Sequence, residues 1–140
     1  DDFNNVDASF ITLVDDSDTD YAARRDNREI TISFDGATGG NAGEAQFEIE
    51  DGKFVKCTIN AQSSLLDDAE VFVGTIAHEI GHCLGLAHPQ ETINSLMSYY
   101  TYSDKVRLQI DDKMGMIFLY PKDKSAAAED ATFGLSCARR

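Results

Sequence analysis

The chain has 140 residues, 42% of them hydrophobic, which is enough for one domain with a real core. Its 25 acidic residues against 12 basic ones give a net charge of −13, so a duplex or an anionic bilayer would repel it. No apolar run is long enough to span a membrane, and no charged-then-apolar leader opens the chain, so an exported form would already have shed it.

In chain order, Asp1–Val6 reads as the end of a preceding element. Ser9–Val14 (SFITLV) is β-rich and predicts a strand, with a short helix through Val6, Phe10, Leu13 and Val14 as the runner-up. Asp15–Asn27 is polar and predicts a surface loop. Glu29–Phe34 (EITISF) alternates apolar and polar residues, the pattern of a half-buried strand. Asp35–Gly43 holds four glycines and predicts a turned loop. Ala45–Ile49 and Phe54–Ile59 flank Asp51-Gly52, a strong hairpin signal, with Val55, Cys57 and Ile59 on the core face.

Asp67 through Glu70 matches a capping box, with Asp67 as the cap and Glu70 three residues later. The helix that follows should run over Ala69–Leu84, and Gly85 is placed to end it in a left-handed turn. A last helix opens at Ile110-Asp111-Asp112, runs through Tyr120 and stops at Pro121. The expected organisation is an α+β domain over residues 1–121 and a polar, Ala-rich tail over 122–140.

Residues 78–88 read HEIGHCLGLAH and contain all three histidines of the chain. His78 and His82 are four apart on a helix, so their imidazoles share one face, one turn apart. That spacing lets both reach one tetrahedral Zn²⁺. Gly85 permits a reversal that brings His88 back as a third ligand. A fourth position stays open for water, the mark of a catalytic zinc site. Glu79 stands beside His78, over that water and off the metal. The long form H-E-x-x-H-x-x-G-x-x-H fixes five positions, so it is far more specific than H-E-x-x-H alone.

The segment resembles the metzincin zinc endopeptidases, which carry a Met in a tight turn below the zinc. Ser95-Leu96-Met97-Ser98 supplies it, with Met97 nine residues past His88, a short gap like that of the matrixins. His78–Pro89 and Met97-Ser98-Tyr99 are similar to serralysins. The final helix, from Leu108 through Asp111, Asp112 and Gly115 to Tyr120, is similar to the matrixin C-terminal helix. The resemblance covers about residues 29–121. It implies a metzincin-like fold: a twisted mixed β-sheet backed by the active-site helix, the Met-turn and a C-terminal helix. It also implies a secreted or periplasmic zinc endopeptidase, made as a zymogen, that acts as a monomer on proteins or peptides. Glu79 would be the general base, with zinc on His78, His82 and His88. Substrate would add a strand to the sheet edge at Gly43–Ile49. Tyr99 would reach the zinc or stabilise the transition state, as in serralysins and astacins, or else line a side-chain pocket.

This chain also departs from the pattern. Matrixins hold a second, structural zinc through further histidines, and none is left here. The corresponding loop is missing between Phe34 and Asp35. If Ser9–Val14 is the second strand, the family's first strand and long helix are missing too. Phe34–Gly40 resembles a matrixin calcium loop, so Asp35 with Glu50 or Asp51 is a candidate Ca²⁺ site. The cluster Asp15, Asp16, Asp18 and Asp20 is another, although it fails as an EF-hand because Tyr21 stands where Gly is needed.

Three cysteines leave one thiol over. Cys57–Cys83 is the favoured disulfide, clamping a strand to the catalytic helix, with 57–137 and 83–137 as the other pairings. A free Cys137 would be unpaired or a C-terminal inhibitory thiol. The competing functions are a metzincin restricted to one partner or to self-processing, a non-catalytic zinc-fold binding module, and a gluzincin-type peptidase. Glu79 argues against the second, and the Gly85–His88 turn argues against the third.

Overall fold

The computed structural model describes residues 2–9, 13, 29–34, 38–51, 53–90, 92–99 and 106–122. Within them the chain is α+β. Strand β1 (Glu29–Ser33), β2 (Gly43–Glu50) and β3 (Lys53–Ala61) form a mixed sheet in the order β1-β3-β2. β1 runs parallel to β3, and β2 runs antiparallel to it. The alternation in EITISF and the Asp51-Gly52 turn thus read the local elements correctly. Asp51 itself adopts φ 50°, a left-handed conformation that Asp tolerates better than most residues. Phe34 falls just outside β1, and β2 and β3 run a few residues beyond their predicted bounds.

Cys57 and Ile59 are wholly buried on the face of β3 that meets helix α1 (Ala69–Cys83), while Val55 is half-buried. Leu65, Ile76 and Cys83 close that core. A second core lies on the other side of α1, where Leu84, Leu86, Leu96 and Met97 meet Leu108, Met116 and Tyr120 of the C-terminal part. Phe3 and Val6 join it from a 3-10 turn, Phe3–Asn5. Ile30 packs against both cores. Among the described residues no helix is long and apolar enough to cross a membrane.

The start of α1 corrects one expectation. The cap is Asp68, whose side chain accepts from the backbone N–H of Glu70 and Val71 at 3.1 and 3.2 Å. Asp67 instead ends a 3-10 turn, Ser63–Asp67. Leu65 is drawn into the core, which winds this segment and shifts the cap by one residue. Glu70 therefore lies at the second helical position, too early to complete a capping box. Helix α2 (Ile110–Leu119) stops one residue before the expected Tyr120, and α1 one residue before Leu84. The Tyr120 hydroxyl donates to the Leu84 carbonyl at 2.8 Å, tying the ends of the two helices together.

Of the predicted strand Ser9–Val14, Ser9 forms a single antiparallel bridge to Pro121, and Leu13 is held by both ends of the Asn4 amide. The rest of it lies outside the described residues. So do Asp15, Asp16, Asp18 and Asp20, Asp35, and Cys137 with most of the tail.

Cys57 and Cys83 are joined, linking the centre of the sheet to the last residue of α1. The cross-link spans 26 residues, so chain-entropy arithmetic gives it about 3.5 kcal/mol of stability. The double variant C57A/C83A should lose roughly that amount in urea denaturation. A loss below about 1 kcal/mol would mean that the bond adds nothing beyond packing.

Candidate metal centre

His78 and His82 project from the last turns of α1. Leu84 caps the helix, and Gly85 follows at φ +86°, a conformation that glycine adopts without a Cβ penalty. The chain reverses there and carries His88 back over the helix. The Nε2 atoms of His78 and His88 are 3.0 Å apart, and those of His82 and His88 are 3.1 Å apart.

The opposite ring nitrogens explain what this convergence means. His78 Nδ1 lies 2.7 Å from the Leu96 carbonyl, and His82 Nδ1 lies 2.9 Å from the Leu86 carbonyl. A carbonyl only accepts, so both Nδ1 atoms carry protons, and in the neutral ring each Nε2 then presents its lone pair. Burial lowers the pKa of His82, with His78 adding to the effect and the Leu86 carbonyl opposing it. His88 is pushed down to about 4 by burial and by the neighbouring His82 and His78. Neutral imidazoles with lone pairs aimed at one another repel unless a cation sits among them. Tetrahedral metal–nitrogen bonds of about 2.0–2.1 Å place ligand nitrogens about 3.3 Å apart, close to the spacing observed. The donor set therefore fits a zinc ion held by three histidines.

Glu79 is buried at 7% exposure on the same helix turn as His78. Burial raises its carboxyl pKa. His78 and the Ala45 N–H, which donates to the carboxylate, pull it down, and Glu44 pushes it up. The approach of β2 is close. A Cβ on Gly43 would stand 2.9 Å from Thr75 Cγ2 and 3.0 Å from Glu79 Cγ. Glycine thus lets the outer strand of the sheet lie directly against the Glu79 side chain. β2 pairs with β3 on one side, and no described strand pairs with its other edge.

Met97 is 2% exposed and packs in the second core, against the part of α1 that carries Gly81. Its Sδ would collide with a Cβ on Gly81, so the missing side chain at Gly81 makes the seat for the methionine. The turn that carries Met97 is pinned by Asp112, a buried acid on α2. The Asp112 carboxylate accepts from Leu96 N at 2.8 Å, Met97 N at 3.2 Å, Gln109 N at 2.7 Å and the Ser95 hydroxyl. Leu96 in turn holds His78 through its carbonyl. Sequence reasoning placed Asp112 only in the first turn of a helix and passed over Gly81 altogether. Apart from Gln109, three residues before Asp112, their partners lie 15 to 17 residues away, out of reach of any local pattern.

Tyr99 is 68% exposed, and its ring lies against that of His88, with centroids 3.8 Å apart. Glu50 and Asp51 are exposed at the hairpin. His78, His82 and His88 are the one group suited to a metal among the described residues.

The sequence matches the family model for matrixins over residues 11–121. The chain belongs to the matrixin family. Matrix metalloproteinase-B of Caenorhabditis elegans is 43% identical to this matrixin over 51 residues, or 35% of the chain and 10% of the nematode protein. Stromelysin-3 of Xenopus laevis is 43% identical over 44 residues, or 31% of the chain and 9% of the frog protein. The matched segments thus span about a tenth of these curated relatives. No solved structure matches this matrixin. The mixed sheet and helices agree with a matrixin catalytic domain.

Proposed function

We propose that this matrixin is an exported zinc endopeptidase, with His78, His82 and His88 as metal ligands and Glu79 as general base. The observation that carries the reading is the meeting of three imidazole Nε2 atoms beside a buried carboxylate. A zinc ion bound there would acidify a water and polarise the scissile carbonyl. Glu79 takes the proton of the attacking water and delivers it to the leaving amine. Its burial keeps bulk water from competing for that proton, and the Ala45 N–H orients the carboxylate. The substrate lies extended along β2, with its backbone adding to the edge of the sheet. Gly43 keeps that edge within reach of Glu79. Met97 supports the histidines from below, and Tyr99 stands at the rim of the same centre. The buried Cys57–Cys83 bond suits an oxidising, extracellular setting. Calcium remains a second candidate ion, for the loop holding Asp35.

The test is metal removal and return. Purified protein incubated with an unfolded protein substrate should cleave it. Cleavage should stop on dialysis against a strong zinc chelator and recover with one equivalent of Zn²⁺. Cleavage that continues in the metal-free protein would overturn the proposal, as would zinc-loaded protein that cleaves neither the substrate nor itself.

A further inference from the structure

We propose that Tyr99 is a positioning residue for the third metal ligand, acting through the face of its ring on His88. This rests on the reading of the three histidines as one zinc site. His78 and His82 are fixed twice, by the helix that carries them and by an Nδ1 bond to a backbone carbonyl. His88 has neither support. It sits in irregular chain after the Gly85 reversal, and its Nδ1 finds no hydrogen-bond partner among the described residues. What it has instead is the ring of Tyr99, tilted by 35° with centroids 3.8 Å apart.

The support is itself anchored. Tyr99 follows two residues after Met97, whose N–H is held by Asp112 and whose side chain is seated at Gly81. Ser98, between them, is buried. A rigid line therefore runs from Asp112 through the Met97 turn to Tyr99 and on to His88. Tyr99 is 68% exposed, so core burial does not explain its place.

The contact also discriminates between the free and loaded site. An imidazole that gives its lone pair to a cation becomes electron-poor, and the negative face of the phenol ring holds it better than the free ring. The stacking thus favours the metal-bound state, by about 3- to 10-fold in zinc affinity. This role needs the π face. The hydroxyl, for which no hydrogen bond is found among the described residues, is not part of it.

Zinc affinity, measured by competition with a chromogenic chelator, tests the assignment. The background is Glu79→Gln, so that self-cleavage does not interfere. Y99A should weaken zinc binding about 3- to 10-fold, while Y99F should stay within about 2-fold of the parent. Y99L keeps bulk without the π face and should behave as Y99A does, which guards against a local collapse in the alanine variant. With Glu79 restored and zinc saturating, Y99F should recover most of the kcat/KM that Y99A loses. Unchanged zinc affinity in both Y99A and Y99L would overturn the proposal. So would a Y99F whose kcat falls as far as that of Y99A, which would assign the role to the hydroxyl. A parent that binds no zinc would overturn the metal-site reading itself, a distinct result.

Discussion

Replacement of Glu79 by glutamine is expected to abolish peptide hydrolysis while leaving the metal in place. The amide is nearly isosteric with the carboxylate, so the packing against Gly43 and Thr75 survives. Its oxygen still accepts from the Ala45 N–H. What it lacks is the ability to take a proton. A positioned general base contributes roughly 10²- to 10⁴-fold, and in the proposed mechanism one group serves both the attack and the departure of the amine. The loss of kcat should therefore lie towards the upper end of that range. Because His78, His82 and His88 are untouched, zinc content by atomic absorption should remain at one per chain. A Glu79→Gln protein that loses its zinc would make Glu79 a support of the site. One that cleaves at the parental rate would remove it from the chemistry.

The second large effect is expected at Asp112. Its carboxylate receives three backbone N–H groups and the Ser95 hydroxyl; the bonds from Ser95, Leu96 and Met97 are buried and that from Gln109 is half-buried. Asp112→Ala would strand the Ser95, Leu96 and Met97 donors out of reach of water. Hydrogen bonds to a charged acceptor contribute about 1.5–3 kcal/mol each and are not additive, so a total loss of about 3–5 kcal/mol is expected. For a domain of this size that lowers Tm by roughly 10–20 °C. The damage should reach the metal centre, because Leu96 donates its N–H to Asp112 and accepts from His78. Zinc affinity should fall along with stability. Asp112→Asn should be intermediate, since one acceptor oxygen is replaced by a donor facing other donors. A melting temperature within a few degrees of the parent for Asp112→Ala would show that the turn is held by packing alone.

These two residues mark what local pattern could and could not reveal. Glu79 was legible because a helix repeats every 3.6 residues and the motif lies on one turn after another of a single helix. The same holds for Gly85, whose place just past a helix calls for positive φ, and for the Asp51-Gly52 hairpin. Where local and non-local forces competed, the non-local force won. The burial of Leu65 moved the helix cap from Asp67 to Asp68.

Asp112 looked like an ordinary acid in the first turn of a helix, where any carboxylate is favourable. Nothing near it in sequence announces the turn that it clamps. Likewise, the motif named His78, His82 and His88 together. It did not say that two of them would each meet a backbone carbonyl and the third a tyrosine ring.

By itself, then, the sequence determined the composition of the centre: three histidines with none to spare, and one carboxylate beside them. It also determined the turn that folds the third histidine back, because these features depend on spacing along one helix and one reversal. Of the possible cysteine pairings, the tertiary structure decided on Cys57–Cys83, because the sheet packs β3 against the end of α1. It also decided how the site is held. Met97 enters the gap at Gly81, Gly43 brings the edge strand to Glu79, and Asp112 ties the C-terminal helix to the methionine turn. Each of these depends on close approach between segments far apart in the chain, and close packing is a property of the assembled core.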